Sequence, residues 1–139
     1  GSSIVTVKKE IDGFILNRLQ GALLNEAMRL YSEGYASSED IDATIKDGLG
    51  LRWAFMGPFE TIDLNAPGGI KDYMARYGAI FKEMAKTQTK IPDWSEDAGN
   101  KLDLERRKVL SKDDLEKRAK KRNFLLKQLR RLKIESDET

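Results

Sequence analysis

Between Phe14 and Glu33 almost every turn of the chain carries an apolar side chain, and this stretch constrains everything else. Leu16, Leu19, Leu23, Ala27 and Leu30 recur at three- and four-residue steps, the repeat of one helix face. Ile15, Ala22, Leu24, Met28 and Tyr31 widen that face almost to the whole circumference. A helix apolar on all sides has two outlets: the centre of a core, or burial against a partner. Asp12 and Gly13 supply the turn into it, and Gly34 is placed to end it in the left-handed conformation that glycine adopts without steric cost. The expectation is a hub helix around which the others assemble.

The rest of the chain reads as further helices. Ser37 followed by Glu39 and Asp40 fits an N-cap with acids in the first turn, so a second helix runs to about Asp47, where Gly48-Leu49-Gly50 breaks it. Leu51 to Met56 is apolar, and Pro58 suits the first position of a short third helix, with Glu60 in its first turn. After the loop Asn65-Ala66-Pro67-Gly68-Gly69, a fourth helix from about Ile70 to Ala85 carries Tyr73, Met74, Tyr77, Ile80, Phe81 and Met84 at helical spacing. Pro92 interrupts a polar connection, and Trp94 can anchor it. Ser111 with Asp114 resembles a capping box and opens an amphipathic helix marked by Leu115, Ala119, Leu125 or Leu126, Leu129 and Leu132. Only Ile4 to Val7 reads as a strand, and no second strand follows to pair with it.

Two absences narrow the chemistry. With no Cys among its 139 residues, the chain has neither disulfides nor thiolate nucleophiles nor Cys-based zinc sites, which is compatible with a cytoplasmic protein. With no His, it lacks the side chain best suited to proton transfer near neutral pH. No Gly-x-Gly-x-x-Gly, phosphate-loop or Gly-x-Ser-x-Gly pattern is present, so no dinucleotide site is expected in this chain. No apolar run approaches the roughly 20 residues that span a bilayer. Gly1 to Ser3 read as a cloning scar, and the expectation is a piece of a longer protein.

Charge is segregated. Residues 101–139 carry a net +6, residues 1–100 a net −4. Lys117, Arg118, Lys120, Lys121, Arg122, Arg130 and Arg131 can touch phosphates, but interleaved acids and a single aromatic, Phe124, argue against a nucleic-acid face and for a solvated one.

Two polar residues stand out against apolar surroundings. Asn17 lies among Ile15, Leu16 and Leu19, where a buried amide without partners costs about 1–3 kcal/mol. It is either a hydrogen-bond donor aimed into a cleft or an amide that ties down backbone. Arg52, in a glycine-rich bend beside Trp53, can receive a carboxylate in a bidentate fork with the indole as a wall, or stack on its own Trp.

Gly13-Phe14-Ile15-Leu16-Asn17-Arg18-Leu19, then Asn25-Glu26-Ala27, Ala36-Ser37-Ser38-Glu39-Asp40-Ile41-Asp42 and Gly57-Pro58-Phe59-Glu60, in this order and spacing, resemble the opening of the 3-hydroxyacyl-CoA dehydrogenase C-terminal domain. Within that superfamily the run Gly48 to Pro58 resembles members acting on small polar hydroxy acids, carnitine dehydrogenases among them. Glu60 to Ala66 resembles the lambda-crystallin (L-gulonate 3-dehydrogenase) branch. The resemblance is good from Ile4 to about Pro92 and weak beyond.

It implies an all-α domain of the 6-phosphogluconate dehydrogenase C-terminal-like type with one orphan N-terminal strand, the last strand of an absent sheet. Residues 4–12 would be an interdomain linker, 13–98 the substrate-cleft and dimerisation domain, and 99–139 a basic helical extension. The full protein would be an NAD-dependent 3-hydroxy acid dehydrogenase acting on a small hydroxy acid or a hydroxyacyl-CoA. It would be a homodimer, with NAD and the catalytic His on an N-terminal Rossmann domain of the same polypeptide, and this chain would be inactive alone. The resemblance gives Asn17 a catalytic hydrogen bond near the reacting centre, and makes Arg52 with Trp53 the candidates for binding substrate. A rival reading is a free-standing helical interaction module whose basic tail binds nucleic acid or an acidic partner.

Overall fold

The computed structural model describes residues 4–138. Gly1 to Ser3, expected as a cloning scar, lie outside the described residues. The architecture is all-α: α1 (Phe14–Ser32), α2 (Ser38–Thr44), a π turn (Ile45–Leu49), α3 (Gly50–Trp53), α4 (Pro58–Leu64), α5 (Gly69–Thr87), α6 (Glu96–Val109), a 3₁₀ turn (Lys112–Asp114) and α7 (Leu115–Asp137). The chain divides into two units, Leu16–Trp94 and the pair of segments Gly1–Ile15 and Ser95–Thr139.

In the first unit the expected punctuation is in place. Gly34 takes φ 80° after α1, and Tyr35 N donates to Leu30 O at 2.9 Å, closing the last turn. Ser37 caps α2: its Oγ accepts from Asp40 N at 3.1 Å and donates to the Asp40 carboxylate at 2.7 Å. Pro58 opens α4, and the buried Thr61 hydroxyl donates back to Gly57 O at 2.8 Å. α4 packs on α5 through the loop at Asn65 to Gly68, which two carboxylates fasten. Asp63 Oδ1 accepts from Ile70 N at 2.8 Å, and Asp72 Oδ2 accepts from Gly68 N at 3.0 Å.

Burial is sparse. Met28 is the only buried residue of α1, and Ala66, Thr61, Ser38 and Pro92 complete the buried set among the described residues. Leu16, 76% exposed, and Leu19, Leu23 and Leu24 all face outward from α1. On α5, Tyr73 meets Tyr77 in a tilted pair with centroids 4.8 Å apart and Phe81 in a stacked one at 6.2 Å, and Tyr77, Phe81, Met74, Ile80 and Met84 are all exposed. The first helix is therefore not the hub of a core in the single chain.

The second unit holds the other surprises. Ile4 to Val7 form no strand, because no segment among the described residues offers the N–H and C=O ladder that a strand needs. α6 is a helix that the expected polar connection had hidden. Ser95 caps it by accepting from Ala98 N at 3.3 Å, Glu96 and Asp97 occupy its first turn, and Arg106, Arg107 and Lys108 its last. Ser111 and Asp114, expected to open the last helix, instead flank the 3₁₀ turn, with Ser111 Oγ donating to Asp114 Oδ2 at 3.0 Å, and α7 follows at Leu115 without a side-chain cap.

Candidate functional site

The Gly48-Leu49-Gly50 stretch does not break the helix after α2, as composition suggests, but widens it. The backbone continues through a π turn directly into α3, with Gly50 N–H donating to Ile45 O to close the wide loop. That closure needs glycine. A Cβ on Gly50 would stand 2.7 Å from the Ile45 carbonyl oxygen, well inside contact distance. Gly48, one residue earlier in the same turn, has open space around it. π turns inside helices recur at functional sites because they re-aim the side chains that follow, and here the residues that follow are Arg52 and Trp53.

Arg52 ends α3 with its backbone fixed, its carbonyl accepting from both Phe55 N and Met56 N at 3.0 Å. Its guanidinium is exposed and makes no ion pair or hydrogen bond among the described residues. All five of its N–H donors are open to an incoming anion. Trp53, the next residue of α3, is 41% exposed.

Asn17 projects from the first turns of α1 and is exposed, with no hydrogen-bond partner among the described residues. The alternative of an amide tying down backbone therefore finds no support. Just before it the backbone is strained: Gly13 at φ 81° is followed by Phe14 at φ 50°, and a bulky residue in the left-handed region costs about 1–2 kcal/mol. Helix α1 and its amide start from that bend. The structure thus places Arg52 and Trp53 side by side on α3 and Asn17 separately on α1.

A concavity of about 550 Å³ lies further along α1, between Asn25, Glu26 and Arg29 and the strap from Gln88 to Pro92; Asn17, Arg52 and Trp53 line no part of it. Several of its polar groups are already engaged. Arg29 Nη1 donates to Lys90 O at 2.8 Å and Nε to Glu26 at 2.9 Å, while Trp94 Nε1 donates to Asn25 Oδ1 at 3.0 Å. Trp94 does anchor the connection, as its sequence position suggested. Asn25 entered the sequence reading only as part of a family motif and Arg29 not at all, although polar residues on an otherwise apolar helix are a usable signal. This network fastens the strap and leaves no charge free for a ligand.

Among the described residues no cluster of acids could hold a metal ion, and no helix is long and apolar enough to cross a membrane.

Comparison with known proteins follows the same lines. The family model described as 3-hydroxyacyl-CoA dehydrogenase, C-terminal domain, matches residues 13–112. Lambda-crystallin of Oryctolagus cuniculus is 44% identical over 135 residues, covering 96% of this chain and 42% of that protein. L-carnitine dehydrogenase of Streptomyces coelicolor is 43% identical over 83 residues, 59% of this chain and 26% of that protein. A 3-hydroxyacyl-CoA dehydrogenase of Gibberella moniliformis is 35% identical over 133 residues, 93% of this chain and 41% of that protein. The chain spans less than half the length of these relatives.

Proposed function

The chain belongs to the 3-hydroxyacyl-CoA dehydrogenase family and contains its C-terminal domain, and from that premise we propose that it forms one wall of the substrate cleft and the dimer contact of an NAD-dependent 3-hydroxy acid dehydrogenase. On this reading the dinucleotide is held outside this chain. The chain has no Gly-x-Gly-x-x-Gly and, among the described residues, no strand from which such a loop could spring. It belongs, with the catalytic base, to a Rossmann domain elsewhere in the full polypeptide.

The unengaged guanidinium of Arg52 carries the substrate reading. A charged side chain held by a fixed backbone beside a half-exposed indole, with no partner of its own, suits a planar carboxylate. That favours a small hydroxy acid over a hydroxyacyl thioester, which has no carboxylate to offer at that end. Asn17 supplies a hydrogen bond near the reacting centre. The exposed apolar residues Leu16, Leu19, Leu23 and Leu24 of α1 and Met74, Ile80, Phe81 and Met84 of α5 support a homodimer, since exposed hydrocarbon clustered on helix faces is a common association surface.

The test uses the full-length protein and follows NAD reduction with L-gulonate, L-carnitine and a 3-hydroxyacyl-CoA. Turnover of a carboxylate substrate is expected, with Arg52→Ala raising its KM about 10–100-fold and leaving any acyl-CoA activity unchanged. This chain alone should be silent. An Arg52→Ala enzyme with wild-type KM for every carboxylate substrate would remove the assignment.

A further inference from the structure

Helix α7 has no role in the function proposed above. It lies beyond residue 112, where the family match ends. Its 23 residues hold nine Lys or Arg and three Asp or Glu, a net +6 on a rod roughly 35 Å long. Among the described residues Lys120 alone of these cations makes an ion pair, with Glu116 at 3.1 Å. The leucines are just as poorly served: Leu115, Leu125, Leu126 and Leu132 are exposed. At 3.6 residues per turn they share, with Leu129 and Ala119, an arc of about 140°, into which Arg118, Arg122 and Lys133 intrude. Phe124 and Ile134 fall outside it.

That pattern selects among occupants. A bilayer interface wants hydrocarbon and charge on opposite sides, and guanidinium groups inside the apolar arc would be drawn below the headgroups. A nucleic acid would neutralise the cations but leave the leucines in water. A protein surface that is acidic and apolar at once satisfies both. The chain carries such a surface in residues 35–51, on α2 and the π turn. Glu39, Asp40, Asp42 and Asp47 stand there against a single base, Lys46, beside exposed Tyr35, Leu49 and Leu51.

We infer that α7 of one copy docks on the α2 and π-turn surface of a second copy, clamping the homodimer from outside its α1 and α5 faces. The inference rests on the dimer proposed above. Apolar contact supplies the attraction, and the opposed charges, net +6 against net −3, fix register and exclude two α7 helices from pairing with each other.

The 139-residue chain is tested by sedimentation, as wild type and as two triple variants at exposed positions: Lys117→Glu with Arg118→Glu and Lys121→Glu, and Glu39→Lys with Asp40→Lys and Asp42→Lys. Circular dichroism of each variant checks that the helices persist. Each variant alone is expected to dimerise about ten-fold more weakly than wild type, and an equimolar mixture of the two to recover. A variant pair that does not recover on mixing overturns the inference. So does an α7 variant that dimerises normally while losing affinity for a DNA duplex or for phosphatidylserine vesicles, since the helix then serves a polyanion or a membrane. A chain that stays monomeric as wild type removes the dimer itself, whereas a normal dimer in the α7 variant removes only the clamp.

Discussion

Asn17 presents its amide to solvent from a turn whose neighbours Ile15, Leu16 and Leu19 are hydrocarbon, and it spends that amide on no partner among the described residues. If it hydrogen-bonds the reacting oxygen, the bond strengthens as charge develops there. Asn17→Ala in the full enzyme should then lower kcat about 100-fold with little change in KM. Equal kcat for both enzymes in steady-state assays ends that role. Gly50 makes a different kind of claim, about space. Gly50→Ala pushes a methyl against the Ile45 carbonyl and should cost about 1–3 kcal/mol, whereas Gly48→Ala meets no atom within 4 Å and should be neutral or stabilising by about 0.5–1 kcal/mol. Urea midpoints of the two variants decide it; similar midpoints would mean that the π turn is not held by the glycine. Neither the amide's freedom nor this asymmetry between two glycines is written in the sequence. Asn17 was legible as an anomaly, but its lack of a partner needed coordinates.

At the scale of elements, α1, α2, α4, α5 and α7 were legible because apolar periodicity or end signals mark them, as at Gly34, Ser37 and Pro58. The π turn was not. Glycines read as breakers unless one knows that Gly50 N reaches Ile45 O across a widened turn. α6 was missed because charge covers most of it, although Ser95, Glu96 and Asp97 spell an N-terminus and its last turn is basic. The strand at Ile4 to Val7 failed for the opposite reason: local pattern was present and a pairing partner was not. One element boundary is also a pH-sensitive clasp. The Arg76 guanidinium, bonded to Asp72 at 2.8 Å, and then the Gly68 N–H hold the Asp72 carboxyl below its ordinary 3.8. A depressed folded-state pKa adds stability that is present above the unfolded value and lost as pH falls through the folded one. Between about pH 5 and 2 the wild type should therefore lose stability more steeply than Asp72→Asn, which has no proton to take up there. Acid titrations monitored by helix ellipticity check this, and parallel curves would show that the exposed pair contributes nothing measurable, as many surface pairs do.

For the whole molecule the decisive fact is what the helices fail to bury. Met28, Ala66 and Pro92 are the only apolar residues buried among those described, and none is fully sealed from water, while Leu16, Leu19, Ile80 and Phe81 lie open on 19-residue helices. Helical propensity alone holds such lengths only marginally in water, so packing of the apolar faces must supply the rest. The near-circumferential apolarity of α1 already posed this in the sequence as a choice between core and partner, and in the single chain its leucines Leu16, Leu19, Leu23 and Leu24 are exposed. If a second copy covers these faces, folding and association are linked, and stability depends on protein concentration. Each ten-fold dilution then weakens the dimer by about 1.4 kcal/mol, which for a chain of this length lowers Tm by roughly 3–6 °C. Ile80→Asp should abolish the concentration dependence by placing a carboxylate in the contact, at the price of a lower Tm throughout. A wild-type Tm that stays constant across two decades of concentration would mean that the exposed hydrocarbon is covered by something other than this chain.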